Sequence, residues 1–151
     1  MNVAPADSVW FAFRGAELLV IQEDSTARVP TGAEWAALGL AAGEPQAVGF
    51  LAGAEAWAVA VEPGAESPDG MAFLGLRRLW GALAEDAWKL AGRALQIVEW
   101  DLTHRYCGRC GAGTERKPEE LARVCPRCGL QQFPRISPAV IVRIERGDQL
   151  L

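Results

Sequence analysis

Two short stretches, Cys107-Gly-Arg-Cys110-Gly and Cys125-Pro-Arg-Cys128-Gly, hold all four cysteines of the chain, with fourteen residues between the pairs. Each Cys-x-x-Cys-Gly closes readily into a tight knuckle, because glycine tolerates the positive φ that turns the chain back. Two knuckles present four thiolates as a tetrahedron, the arrangement a structural Zn²⁺ prefers. Rubredoxin-type iron takes similar knuckles and stays an alternative on spacing alone. A redox Cys-x-x-Cys needs one pair at a helix start, and a disulfide framework suits a short secreted chain. Four protein ligands leave no open position for water, so the metal is expected to be structural and not catalytic. His104, the one histidine, precedes the first knuckle by three residues. Four cysteines already complete the tetrahedron without it.

A ribbon of this kind is small, and the rest of the 151 residues must hold something else. No apolar run approaches the length needed to cross a bilayer. The first residues, Met1-Asn-Val-Ala-Pro-Ala-Asp, lack the basic and apolar regions of a signal peptide. Metal-binding thiols without an export signal point to a reducing cytoplasm. Charge is unevenly placed: residues 1–98 carry a net −6 and residues 104–135 a net +4. Four thiolates with one Zn²⁺ subtract two from the latter, leaving a mildly basic module on an acidic domain.

Ser8–Arg14 and Glu17–Gln22 read as strands hinged at Gly15, with Asp24-Ser-Thr as loop. Thr31-Gly-Ala-Glu34 fits a capping box, predicting a short helix that stops near Gly43 and buries Trp35, Leu38 and Ala42. Gln46–Ala52 and Ala56–Glu62 suggest a second hairpin, followed by a Pro/Gly-rich loop over 63–70. Met71–Leu76 reads either as a strand or as the lead into a short helix around Arg77–Leu83. From about Glu85 to Thr103, Trp88, Ala91, Leu95, Val98 and Leu102 recur at helical spacing. Residues 1–103 are thus expected to form one α+β domain, a sheet covered by helices on one side. After the second knuckle, Ala139–Ile144 reads as an apolar strand, Glu145-Arg-Gly-Asp as a turn and Gln149-Leu-Leu151 as the start of a return strand. That ending suggests a fragment of a longer protein, cut inside the first hairpin of a further domain.

Three features in order carry a resemblance: Leu90-Ala-Gly-Arg-Ala-Leu-Gln-Ile-Val-Glu-Trp100, the two knuckles led by His104-Arg-Tyr, and Phe133-Pro-Arg-Ile-Ser-Pro-Ala-Val-Ile-Val142. Together they resemble the Nudix-type NAD(H) pyrophosphatases, which also remove NAD caps from RNA. The resemblance implies a Nudix-like N-terminal domain with a mixed sheet and helices (1–103), a Cys₄ zinc ribbon (104–135), and the first strand and turn of a catalytic Nudix domain (136–151). It implies hydrolysis of the NAD(H) pyrophosphate to nicotinamide mononucleotide and AMP, with Mg²⁺ or Mn²⁺ activating the attacking water. The Nudix box that holds those ions, Gly-x5-Glu-x7-Arg-Glu-x2-Glu-Glu-x-Gly, is not in this sequence. The chain by itself is therefore expected to be inactive. By motif position the resemblance makes Cys107, Cys110, Cys125 and Cys128 the zinc ligands, and Phe133, Glu120 and Arg77 substrate contacts, with Arg78 an equal candidate beside Arg77. It further implies a homodimer, and the short apolar runs give no expectation of a membrane partner. The competing reading is a stand-alone ribbon module for nucleic acid or dimerisation, in which arginines meet phosphate.

Overall fold

The computed structural model describes residues 5–150, and of Leu150 only the backbone. It divides into two compact units that part between Arg105 and Tyr106. The first is built on a mixed sheet. Strand β1 (Val9–Arg14) turns at Gly15, φ 58°, into β2 (Glu17–Glu23), with Arg14 opposite Glu17. A two-residue turn leads from β2 to β3 (Thr26–Arg28), so Thr26, expected in a loop, already pairs with Glu23. β4 (Gln46–Leu51) and β5 (Ala54–Ala60) form the second hairpin, and β5 runs parallel to β1 with Trp10 beside Trp57. β6 (Met71–Gly75) pairs with β2, which settles the 71–76 ambiguity in favour of a strand. Residues 76–83 form a series of turns and not a regular helix. The resulting order is β3-β2-β1-β5-β4, with β6 also paired to β2.

Helix α1 (Gly32–Leu38) begins with the expected capping box. Thr31 Oγ1 accepts from the Glu34 N–H at 3.3 Å, and the Glu34 carboxylate accepts from the Thr31 N–H at 2.8 Å. The helix stops at Gly39, not near Gly43, because Gly39 takes the left-handed conformation that terminates it. Ala42 consequently lies outside the helix and bridges Val61, while Trp35 and Leu38 pack on the core as expected. Arg28 clamps the same Glu34 through two 2.8 Å bonds. These bonds first, and the Thr31 N–H second, hold the Glu34 carboxyl at about 2, well below its ordinary 4.5. A depressed carboxyl pKa gives stability that is complete above the ordinary value and disappears as pH falls toward the depressed one. The Glu34 and Arg28 side chains are 35% and 42% exposed, so solvent screens the pair. Glu34→Gln is expected to cost about 1 kcal/mol at neutral pH. Urea midpoints measured from pH 6 to 2 should fall less steeply for the variant below about pH 4.5.

Both faces of β1 are covered, where a cover on one side was expected. Strand alternation puts Trp10 and Ala12 on one face, against Trp35 and Leu38 of α1. Phe11 and Phe13 point the opposite way and are also fully buried. The long helix α2 (Glu85–Thr103) packs on β1, β4 and β5. Its boundaries match the sequence reading, but of the expected buried stripe only Ala91 and Val98 are fully buried. The residues turned inward are Ala87, Ala91, Ala94, Ile97, Val98, Trp100 and Asp101, whereas Leu102 is exposed and Trp88 and Leu95 are only half-buried. Small side chains let the helix axis approach the sheet closely, and the leucines are displaced to the flank. There Leu95, Val98 and Leu102 line a shallow apolar hollow with Gly15 and Ala16.

The second unit holds three two-residue strands, β7 (Glu115–Arg116), β8 (Arg123–Val124) and β9 (Gln131–Gln132), in an antiparallel ribbon. Beyond it, residues 139–144 form no strand, contrary to expectation. A strand exists only through a neighbour's hydrogen bonds, and these residues pair with none among the described strands. Ile136, Val140, Ile141 and Val142 are left largely exposed. β10 (Glu145–Arg146) and β11 (Gln149–Leu150) close a hairpin at Gly147, so the expected turn is two residues shorter than read. Among the described residues no helix is long and apolar enough to cross a membrane.

Candidate metal centre and substrate contacts

The two knuckles repeat one hydrogen-bond pattern. The Gly111 N–H donates to the Cys107 carbonyl and the Gly129 N–H to the Cys125 carbonyl, both at 2.9 Å. Cys107 N–H donates to Ala112 O at 2.7 Å, and Cys125 N–H to Leu130 O at 2.9 Å. Gly111 and Gly129 stand at φ 73° and 72°, the left-handed turn that the Cys-x-x-Cys-Gly pattern requires. The result brings all four sulfurs within 4.8 Å of one another. Cys107 lies 3.6 Å from Cys128, and Cys110 lies 3.5 Å from Cys125, across the knuckles. With Zn–S bonds of about 2.3 Å, tetrahedral sulfurs stand about 3.8 Å apart, so the donor set fits Zn²⁺.

The thiols share their charge unequally. The Arg109 N–H donates to Cys107 at 3.4 Å and, as the leading cause, draws its pKa down to about 6. Cys110 also receives a lowering contribution from the Ala112 N–H, but burial and its bonds to Cys125, Cys128 and Cys107 carry it up to about 12. The N–H donated to Cys107 thus favours its thiolate form, and the crowd of neighbouring sulfurs disfavours that of Cys110. His104 takes no part. Its Nδ1 lies 2.8 Å from the Trp100 carbonyl and 3.1 Å from Thr103 Oγ1, in the first unit.

Around the centre, Arg123 is buried and donates to Thr114 Oγ1 at 2.7 Å and to the Thr114 carbonyl at 2.8 Å, tying the start of β8 to the chain before β7. Sequence reading missed this pair, since an arginine in a basic ribbon carries no sign of burial. Glu120 lies in the loop between β7 and β8, exposed, its carboxylate ion-paired with Lys117. Phe133 directly follows β9 and is 47% exposed. Arg77 belongs to the other unit, exposed in the turns after β6, with Arg78 exposed beside it. The structure thus places Glu120 and Phe133 on one unit and Arg77 on the other.

Paired knuckles on a three-stranded ribbon, following a mixed α+β sheet, define a four-cysteine zinc ribbon joined to a Nudix-like domain. Family comparison agrees with both parts: the NADH pyrophosphatase-like rudimentary NUDIX domain matches residues 7–100, and the NADH pyrophosphatase zinc ribbon domain matches residues 102–133. The chain belongs to the NADH pyrophosphatase family. Among similar proteins, an NAD-capped RNA hydrolase NudC of Deinococcus radiodurans is 43% identical over 82 residues, 54% of this chain and 29% of that protein. NAD-capped RNA hydrolases NudC of Stutzerimonas stutzeri and Pseudomonas fluorescens are 38% and 39% identical, covering 70% and 69% of this chain and 38% and 37% of theirs. The chain spans about a third of the length of the curated relatives it matches.

Proposed function

We propose that this chain is the N-terminal and zinc-ribbon part of a Nudix hydrolase that cleaves the pyrophosphate of NAD(H), free or as the 5′ cap of RNA, to nicotinamide mononucleotide and AMP or AMP-ended RNA. The observation that carries this reading is the succession of the two family matches, over residues 7–100 and 102–133. The exposed apolar stretch from Ile136 to Ile144 supports it, because such a stretch is ordinarily covered by further protein. Zn²⁺ held by Cys107, Cys110, Cys125 and Cys128 is structural in this reading. It takes the place of a hydrophobic core in the ribbon, in a reducing cytoplasm where the thiolates persist.

Mg²⁺ or Mn²⁺, bound elsewhere in the full-length enzyme, would polarise the phosphates and activate water. The residues of this chain do not fit such a site: among those described, the four cysteines are the one cluster suited to a metal, and no group of carboxylates converges. In this reading the chain alone is inactive. Its own contribution is to binding, as part of a homodimer. Phe133 offers an exposed ring for stacking on a substrate base, Arg77 a guanidinium for phosphate, and Glu120 an acceptor for hydroxyl or amine groups once Lys117 yields it.

The test compares this chain with the longer protein carrying the remaining domain, each assayed on NADH and on NAD-capped RNA. Hydrolysis by the longer protein alone is expected; turnover by the 151-residue chain itself would refute the division of labour. Phe133→Ala in the longer protein should lower kcat/KM about five- to tenfold. Unchanged kinetics would leave Phe133 as packing between ribbon and neighbouring chain.

A further inference from the structure

The repeat inside the two knuckles extends beyond the cysteines. Each reads Cys-x-Arg-Cys-Gly, with Arg109 and Arg127 at the same step, directly before the second cysteine. Both side chains are exposed, and neither makes an ion pair or side-chain hydrogen bond among the described residues. Other cations of the ribbon are placed differently. Arg123 is buried on Thr114, and Lys117 is ion-paired with Glu120. Arg105 and Arg135 precede and follow the knuckles and lie outside the metal-binding turns.

The metal centre gives two such cations a use. Four thiolates within 4.8 Å of one another repel, and one Zn²⁺ leaves the group with a net charge of −2. Cys107 and Cys125 are buried and Cys110 and Cys128 half-buried, so water solvates that charge only in part. Neither knuckle contains an acidic residue; Glu115, Glu119 and Glu120 all belong to the segment between them. The backbone of one arginine already touches the sulfurs, since the Arg109 N–H donates to Cys107 Sγ at 3.4 Å. Two guanidiniums, one on each knuckle, equal the residual charge.

We propose that Arg109 and Arg127 are charge-compensating residues of the metal centre, which raise its affinity for Zn²⁺ through their field at the thiolates and without coordinating the ion. Arginine keeps its charge at every working pH and is no ligand for Zn²⁺. Exposed side chains act on the sulfurs partly through solvent, so the effect must weaken with salt. The inference deepens the structural-zinc reading and does not depend on the hydrolase reaction.

Competition for Zn²⁺ between the full 151-residue chain and a chromophoric chelator, at one fixed pH, provides the test. At about 0.01 M ionic strength, Arg109→Gln and Arg127→Gln should each weaken binding about three- to fivefold. That is the Coulomb effect of a unit charge about 8 Å from a doubly charged centre in water. Arg109→Gln/Arg127→Gln should lose about tenfold, and Arg109→Glu/Arg127→Glu on the order of a hundredfold. Arg109→Lys/Arg127→Lys keeps the charge and should stay within about twofold of the parent. At about 1 M salt all these differences should shrink below about twofold, because screening then acts within about 3 Å. Arg146→Gln makes the same change of net charge on β10, away from the knuckles, and should bind as the parent does. Visible bands of the Co²⁺-loaded forms report the tetrahedral thiolate site and should keep their positions while affinity changes. If the glutamate variant takes no metal, the glutamine and lysine variants decide. Equal affinity in the parent and the double glutamine variant would overturn the proposal. So would a loss that lysine does not rescue, or one that persists in full at high salt, since either marks shape and not charge. A parent chain that binds no Zn²⁺ would remove the zinc reading itself, whereas tight binding unaffected by the glutamines removes this inference alone.

Discussion

Replacing Cys128 by serine, or chelating the metal, is expected to unfold the ribbon over 106–133 while leaving the sheet domain folded. The reason is how little else holds the ribbon. Its strands are two residues each, and its buried residues among those described are Cys107, Thr114, Ala122, Arg123 and Cys125. Two of these five are metal-site cysteines, and none is a large aliphatic or aromatic side chain. Binding of a structural Zn²⁺ contributes about 10–16 kcal/mol in small zinc modules. No burial available in this ribbon approaches that. Metal analysis should find one zinc per chain, and amide exchange should show protection lost over 106–133 on chelation, with 5–105 unaffected. Protection that persists without metal, two metals per chain, or the red colour of an iron-sulfur tetrad would each contradict it. The apparent metal affinity should also fall as pH is lowered, because Zn²⁺ must displace the protons of the cysteine thiols it binds.

The metal centre was legible because its determinants are local: a Cys-x-x-Cys-Gly fixes each turn, and both turns repeat one hydrogen-bond pattern. α2 was legible in extent for the same reason, its apolar spacing being confined to one element. Its inward face was legible only at Ala91 and Val98, since the sequence ranks leucine above alanine while the sheet selects the residues that allow close approach. Ala87 and Ala94 are therefore inside beside Ala91, and Leu102 is out. At residues 139–144 the apolar pattern of a strand is present, but a strand is a property of two segments, and none of the described strands pairs with this one. Among the substrate candidates, the exposure of Phe133 and Arg77 comes from elements too short to bury them, whereas the tie between Glu120 and Lys117 depends on a loop shape no motif encodes. Tryptophans behaved in two ways. Trp10, Trp35 and Trp57 pack together as expected of core residues, but Trp80 does not, because a turn has no periodicity from which burial can be read.

That packed group supplies the second large effect. Trp10 lies between two other indoles: Trp35 at 5.2 Å and 14° between planes, and Trp57 at 6.4 Å and 21°. Its Nε1 donates at 3.1 Å to Ser8 Oγ, which itself donates to the Pro5 carbonyl at 2.6 Å. One side chain thus joins β1, β5 and α1 and pins the residues that precede β1. Trp10→Ala is expected to destabilise the domain by about 4 kcal/mol, from lost burial, an unfilled cavity and two lost ring contacts. Against a total stability of about 5–15 kcal/mol for a domain of this size, that loss leaves little margin. The thermal midpoint should fall by about 20 °C. Trp10→Phe keeps a ring in the stack but loses the bond to Ser8, and should cost about 1–2 kcal/mol. Denaturant midpoints give the energies, and circular dichroism should lose the coupled indole signal in both variants. A Trp10→Ala protein destabilised by less than about 1 kcal/mol would show that Trp35 and Trp57 close over the gap, and that α1 is held to the sheet by Leu38 and the Arg28–Glu34 clamp instead.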